Sequence, residues 1–375
     1  MNKCVLVFAE YGVRNGAENS WLAVARILKD RGWHFIVATP DSTNPTEFAT
    51  AAGQDFELTP FNLHDESGVR KSQQEIRADI SQTITAVKPD LIHCNSLSTS
   101  RLVGPVSGQL DTPAAGHLRD ILKLSKQAVA DINCLDRIVA VSNATKNFHA
   151  GQGIDSTKCT TVHNGVDLQQ FKPNLSTSIR SELGLAPQTR LITCIGQIGM
   201  RKGTDVVLRA FHELVQNSKH ELFLAIVGQR NSQKQEAIEY EQQLHKLVDK
   251  FQLQNQIRFL GRRNDVAALL SNSHFLLHAA RQEPLGRVLL EAAACGCPFI
   301  ATDVGGTAEI VNGLESLNLT CPVDDPETMA TQASRFLDNE EFHANVSCKL
   351  RSQAELLFDS QISATKIERI YEELI

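Results

Sequence analysis

The chain lacks any domain-sized excess of positive charge: 37 Lys and Arg stand against 43 Asp and Glu, a formal net charge of −6. A nucleic-acid partner held by a broad basic face is therefore not expected. It also lacks any run of eighteen apolar residues, so no membrane-spanning helix is expected. Its nine cysteines never fall at C-x-x-C spacing, which leaves zinc and dithiol redox sites without their usual pattern. They read as reduced thiols of a cytosolic protein. No G-x-G-x-x-G, G-x-S-x-G or Walker A loop occurs, so nicotinamide, serine-hydrolase and P-loop chemistry have no fingerprint. No short repeat or low-complexity tract appears. The start, MNKCVLVFAEYG, runs from apolar residues into Glu10 and reads as a first strand, not a signal peptide.

What is present is an alternation of strand-like and helix-like segments. Cys4–Ala9 and Phe35–Ala38 are apolar runs, separated by Trp21, Val24, Ala25 and Leu28 at helical spacing, with Gly32 placed to end that helix. A helix through Ile76, Ile80, Ile84 and Val87 precedes a strand at Asp90–Cys94, and Ala114–Leu118 and Arg137–Val141 continue the series. The pattern breaks at 173–189 and restarts with strands at Leu191–Ile195, Leu222–Val227, Ile257–Leu260, Phe275–Ala279 and Pro298–Thr302. This is an α/β chain of two doubly wound parallel-sheet halves: 1–172, a linker 173–189, 190–358, and a closing helix 359–375. Ligands in such sheets bind at the carboxyl ends of strands, and the crevice between two such domains is the natural site.

Three loops carry candidate chemistry. In RQEPLGRVLLEAAACGCPFIATDVGG, Arg281–Gly306, a helix starting near Gly286 presents free amides that suit a diphosphate. Glu283 precedes it, and Glu291 interrupts an otherwise apolar run, where a carboxylate needs donors such as ribose hydroxyls or an arginine. Eight helical residues span roughly 12 Å, more than the ~5–5.5 Å or ~6.5–9.5 Å of a glycosidase carboxylate pair. On spacing alone, a helix-capping Glu283 and an arginine-paired Glu291 explain the pattern equally well. In GQIGMRKGTD, glycines let the backbone turn tightly while Arg201 and Lys202 supply two cations for a departing diphosphate; a solvated basic turn is the plainer alternative. At NGAENSW, Asn15–Trp21, and the residues just before it, Gly12 and Gly16 allow the loop after the first strand to approach a ligand closely; a plain strand-to-helix turn explains them equally well. His117 in GHLRD and His93 in LIHCNS fall at strand ends, where histidines serve structural as well as catalytic ends; HNGVD, His163–Asp167, reads as a turn.

Taken together, NGAE, HLRD, VSNATKNF, VHNGVDLQQFKP, GQIGMRKGTDVVLRAF, FLAIVG, RFLGRRNDVAALLSNSHFLLHAA and EPLGRVLLEAAACGCPFIATDVGGTAEIV resemble, in order, the retaining glycosyltransferases of family 4. The resemblance covers most of the chain and implies a GT-B fold of two Rossmann-like domains with an interdomain cleft. The quoted stretch corresponds to the family's E-x7-E motif. The resemblance implies a metal-independent hexosyltransferase acting in polysaccharide or glycolipid synthesis, with UDP-sugar the first choice of donor and GDP-mannose the second. Glu291 would hold the ribose and Glu283 the transferred sugar. Amides at Leu285, Gly286, Arg287 and Val288 would meet the diphosphate and sugar, and Lys202 with Arg201 would stabilise the departing phosphate. Gly16 would let a loop close over that phosphate, His117 would lie near sugar and acceptor, and the base would rest near Gly228, Gly261 and Arg262. The absence of a D-x-D triplet, which holds a metal in the other common glycosyltransferase architecture, agrees with a metal-free site. The acceptor would be a glycan or a lipid-linked glycan, and the location cytoplasmic, with peripheral contact at the inner membrane face as an option; the sequence leaves oligomeric state open.

Three positions depart from many relatives: Gln197 replaces an arginine, Ala280 a serine, and His93-Cys94-Asn95 a His-x-His. Arg201 is the candidate substitute for the missing arginine. An epimerase or phosphorylase of the same fold and a non-catalytic nucleotide-sugar sensor are the alternative readings. The stretch Arg119–Lys126, with Ile121, Leu122 and Leu124, reads as an ordinary domain helix rather than a membrane-docking one.

Overall fold

A computed structural model describes residues 3–10, 12–40, 46–175 and 179–375. The chain forms two compact units, Met1–Gly165 with Ser360–Ile375, and Val166–Asp359. Strands of the first unit are β1 (Cys4–Phe8), β2 (His34–Thr39), β3 (Glu57–Pro60), β4 (Leu91–Cys94), β5 (Ala114–Leu118), β6 (Arg137–Ala140) and β7 (Cys159–Thr161). They pair in parallel in the order β3-β2-β1-β4-β5-β6-β7. The central strands are almost wholly buried, as expected when helices cover both faces of a parallel sheet. On one face Ile76, Ile80 and Ile84 of the helix Gln73–Val87 meet Leu6, Phe8, Ile92 and Ile138. On the other, Trp21, Leu22, Ala25 and Leu28 of the helix Gly16–Asp30 pack with Val5, Val7, Phe35 and Val37.

The closing helix, Ser360–Glu372, completes that second face with Ala364, Ile367, Ile370 and Tyr371. It is tied down by Trp33 Nε1 donating to Glu368 Oε1 at 3.0 Å and by the Arg31–Glu368 ion pair at 2.6 Å. Gly32, at φ +96°, turns the chain out of the first helix just after its C-cap at Arg31.

The second unit holds β8 (Arg190–Ile195), β9 (Leu222–Val227), β10 (Ile257–Phe259), β11 (Phe275–His278), β12 (Phe299–Thr302) and β13 (Thr320–Cys321). Its order, β10-β9-β8-β11-β12-β13, has the same reversal on either side of its first strand, again all parallel. Residues 166–189 belong to this unit: the expected boundary at 172 and the expected linker lie inside it. Val166 N bonds Phe358 O at 2.8 Å, Leu175 N bonds Ser271 Oγ at 2.8 Å, and a short helix forms at Ile179–Glu182.

Arg119–Lys126 is not a helix. Helix begins only at Lys126, where Ser125 Oγ accepts from Ala128 N at 3.2 Å. The preceding residues are irregular because Arg119 turns inward, donating to Asn95 O (3.0 Å), Asn95 Oδ1 (2.9 Å) and Asn164 Oδ1 (2.9 Å).

Candidate functional site

In the second unit the residues singled out from the sequence gather at the carboxyl ends of β8 to β11. Glu283 is 6% exposed, although it lies in a loop. Its Oε2 pairs with Lys202 Nζ and accepts from His278 Nε2 at 2.9 Å, while its backbone oxygen accepts from Gly306 N at 3.0 Å. His278 ends β11, and Lys202 ends a 3-10 turn, Met200–Lys202, in the glycine loop after β8. Burial would raise the Glu283 carboxyl, but the Lys202 ammonium and the His278 hydrogen bond outweigh it and hold it well below the usual carboxylate range. Burial pushes His278 down despite Glu283, with Lys202 and Arg201 adding to the effect. The trio is therefore a carboxylate, an ammonium and a neutral imidazole that donates through Nε2.

Glycines make room for this trio. A Cβ on Gly228 (φ +136°) would fall 1.9 Å from Gly196 O, and one on Gly203 (φ +62°) 1.9 Å from Ala279 O. The strand ends thus touch backbone to backbone, and Gly228 N also bonds Gly261 O at 2.8 Å. The Lys202 stem lies over Gly196, where an added Cβ would sit 3.7 Å from Lys202 Cδ. Gly228 and Gly261 are joined to Lys202 and Glu283 by this run of contacts, while Arg201 and Arg262 stay exposed.

The helix is Arg287–Ala294, with Gly286 (φ +90°) at its N-cap and no side chain capping it. Glu283 is thus not a helix cap, and the four residues before Arg287 are not helical, so the 12 Å helical span does not apply. Leu285 is buried and Val288 half-buried at this end. Glu291 pairs with Arg287 of the same helix, Oε1 to Nη2 at 2.8 Å, and not with an arginine from a neighbouring element. Burial raises the Glu291 carboxyl more than Arg287 lowers it. Its Oε2 makes no hydrogen bond among the described residues.

Gly16 and His117 belong to the first unit. Gly16 opens the first long helix behind an Asn15–Glu18 capping box, in which Glu18 Oε2 accepts from Asn15 N at 3.0 Å. His117, on β5, is 5% exposed. Arg119 Nη2 lies 3.1 Å from its Nδ1 and can only donate, so the ring proton is on Nε2. That Nε2 is buried and has no hydrogen-bond partner among the described residues. Burial first, then Arg119 and His93, hold His117 far below the ordinary histidine range. His93 packs edge-on against it, ring centroids 5.8 Å apart, and bonds Tyr371 Oη through Nδ1 at 2.9 Å.

Sequence reasoning missed His278, Arg281 and Asp205. Arg281 donates to both Asp205 oxygens (3.0 and 2.8 Å), to Asp324 (2.7 Å) and to Met200 O (2.6 Å), clamping the Lys202 turn to the loop after β11. Tyr240 Oη donates to Asp205 at 2.6 Å and completes the clamp. His278 was hidden in an apolar strand, and nothing local in the sequence pairs Arg281 with a residue 76 positions earlier.

Comparison with known proteins decides the family. The profile of glycosyl transferases group 1 matches residues 176–353, and that of glycosyltransferase family 4 matches residues 14–170. This chain belongs to the family 4, group 1 glycosyltransferases. Among curated members of similar sequence, N-acetyl-alpha-D-glucosaminyl L-malate synthase of Bacillus anthracis is 28% identical over 64% of this chain and 60% of that protein. A D-inositol 3-phosphate glycosyltransferase of Rhodococcus erythropolis is 30% identical over 66% of this chain and 59% of that one. The chain thus spans about three fifths of the length of these two relatives. Among solved structures, Anabaena HepE in complex with UDP-glucose is 22% identical, with a TM-score of 0.85 and 99% of each chain covered. Sucrose-phosphate synthase of Thermosynechococcus elongatus gives 0.80 at 19% identity, covering 100% of this chain and 99% of that one. This family member accordingly has the GT-B fold, with two Rossmann-like parallel-sheet domains.

Proposed function

We propose that this glycosyltransferase moves a sugar from a nucleotide-sugar donor to a hydroxyl acceptor with retention of configuration and without a metal. The observation that carries the reading is the trio of buried Glu283 and His278 with half-buried Lys202, beside a helix start at Gly286 that no side chain caps. A diphosphate fits that helix end, where amide dipoles and the Lys202 ammonium stabilise growing negative charge. Arg201, exposed on the same turn, adds a second cation. Glu283, ionised and fixed by His278, accepts hydroxyls of the transferred sugar and places its anomeric carbon. Glu291 has one oxygen left for the ribose. Gly228, Gly261 and Arg262 border the place of the base, and Leu285, Arg287 and Val288 that of the phosphates. As the bond from the anomeric carbon to phosphate breaks, the acceptor oxygen attacks the same face and its proton passes to the leaving phosphate. His117 offers an Nε2–H donor for the sugar, and Gly16 a place for phosphate to approach.

A UDP-sugar is the first choice of donor, because a protein of the same fold binds UDP-glucose; GDP-mannose is the second. The acceptor is a glycan or a lipid-linked glycan. No helix among the described residues is long and apolar enough to cross a membrane, and a cytoplasmic site of action with peripheral membrane contact is part of the proposal. The test is a thermal-shift panel of UDP-, GDP- and ADP-sugars, since selective binding stabilises the fold. One base is expected to raise the Tm well above the others; no shift with any sugar nucleotide at millimolar concentration removes the reading.

A further inference from the structure

The turn that carries Lys202 has little of its own to hold it. It spans only Met200–Lys202, has a glycine on each side, and contains no buried residue. A Cβ on Gly199 would meet nothing within 4 Å, and Met200 is 54% exposed. Among the described residues, the hydrogen bonds that tie the backbone of Met200 and Arg201 to another segment both come from Arg281. Its N donates to Arg201 O at 2.8 Å and its Nη1 to Met200 O at 2.6 Å. The same guanidinium is held from behind by both Asp205 oxygens and by Asp324 Oδ1. Asp205 lies in the first turn of the helix Thr204–Asn217, where Tyr240 Oη donates to its Oδ1 at 2.6 Å and accepts from its N at 3.2 Å. Burial would raise the Asp205 carboxyl, but the hydrogen bonds from Arg281 and Tyr240 outweigh it and keep the carboxylate charged.

We infer that Arg281 is a positioning residue for the transfer: it holds the Met200–Lys202 turn so that the Lys202 ammonium faces the leaving phosphate, and Asp205 with Tyr240 holds Arg281. The inference rests on the transfer reading above. Arg281 and Glu283 lie on one loop, so that loop grips the turn twice, at its backbone through Arg281 and at its ammonium through Glu283. Glu283 alone does not fix the ammonium, because a lysine stem is flexible and reaches one carboxylate in many conformations. With the backbone pinned as well, the ammonium has a set place. Misplacement of a reacting group by about 1 Å can cost roughly 10²-fold in rate. Direct contact of Arg281 with phosphate is the competing role. Its N–H groups are instead engaged by Asp205, Asp324 and Met200 O, and the two carboxylates leave the guanidinium no excess positive charge.

The test combines lysine labelling with kinetics on the full chain. Acetic anhydride is applied to the folded protein and labelling is read by mass spectrometry, with exposed Lys126 as internal reference. In Arg281→Ala and in Asp205→Asn, Lys202 should label severalfold faster relative to Lys126. Arg281→Lys, which keeps the charge opposite Asp205, should fall between these and the unsubstituted chain. In a transfer assay Arg281→Ala and Asp205→Asn should each lower kcat roughly tenfold or more, with donor KM changed by less than about threefold. The double variant should be no slower than Arg281→Ala, since residues that act as one unit are not additive. Asp205→Asn separates the two roles: an Arg281 that touched phosphate would be freed by it, and turnover would hold or rise. Tyr240→Phe, which removes one hydroxyl and no charge, should show the same effects in weaker form even where Arg281→Ala folds poorly. The proposal is overturned if Lys202 labelling is unchanged in both Arg281→Ala and Asp205→Asn, if Asp205→Asn keeps full turnover, or if the kcat losses add in the double variant. Failure of the unsubstituted chain to bind or use any sugar nucleotide would strike the transfer reading alone, since labelling reads the clamp without substrate.

Discussion

Glu283 is held by two partners of different kinds, and each has its own role. Lys202 neutralises it and, in the proposed transfer, faces the phosphate; His278 fixes its direction. Glu283→Gln and Lys202→Ala are each expected to cut kcat by roughly 10²-fold or more, with folded-state CD unchanged, in a donor-to-acceptor transfer assay. Near-normal turnover in both would remove their assigned roles. His93 gives a second test at this scale. Burial, with Arg119, pushes its folded pKa down to about 3, against an ordinary value of 6.5. Between those values the unfolded chain binds the extra proton, so stability is full above pH 6.5 and falls as the pH drops. The slope from this group is up to about 1.4 kcal/mol per pH unit. His93→Asn should flatten the pH dependence of urea unfolding between pH 6.5 and 4 by that amount; an unchanged slope would contradict a neutral buried His93. Glu283, Glu291 and Lys202 stand out in the sequence because their types and spacing suit diphosphate and sugar chemistry, and the structure brings Lys202 and Glu283 together. The Arg281–Asp205 clamp does not stand out, because it joins a loop to the first turn of the helix Thr204–Asn217, brought together only by the β8–β11 pairing.

At the scale of elements, the glycine loops are a packing device before they are a binding one. Gly228→Ala sets a Cβ against Gly196 O in a backbone region that suits only glycine, and should cost roughly 2 kcal/mol or more. Gly196→Ala meets only the Lys202 stem at ordinary contact distance and should keep the Tm within a few degrees. Equal Tm values for the two variants would refute this division of labour. The buried strands were readable to within a residue or two, since a continuous apolar run has few other uses. The edge strands β3, β7 and β13 were missed: Glu57–Pro60 is largely exposed and Thr320–Cys321 spans two residues, so neither carries an apolar period. Arg119–Lys126 was misread because its apolar residues look helical in isolation, while the inward hydrogen bonds of Arg119 decide otherwise.

For the molecule as a whole, the metal-free reading has a direct check. Dialysis against EDTA should leave transferase activity intact, since Lys202 and the helix start supply the positive charge; activity lost to chelator and restored by Mn²⁺ would refute it. Domain organisation was legible from the restart of the strand–helix rhythm, but the seam was not. The chain leaves the first unit at Gly165 and re-enters it at Ser360. At that crossing the two passes are so close that a Cβ on Gly165 would fall 2.4 Å from Ser360 Cα, and only a glycine fits. The second unit is therefore an insertion, threaded into the first through a single doorway. During synthesis, the first unit emerges early yet cannot seal its apolar face until the residues after 359 arrive, so the inserted unit is free to fold before its host. Since the host's two cut ends already touch, joining residue 165 directly to residue 360 would give a continuous chain for the host, and 166–359 could be made as a separate piece.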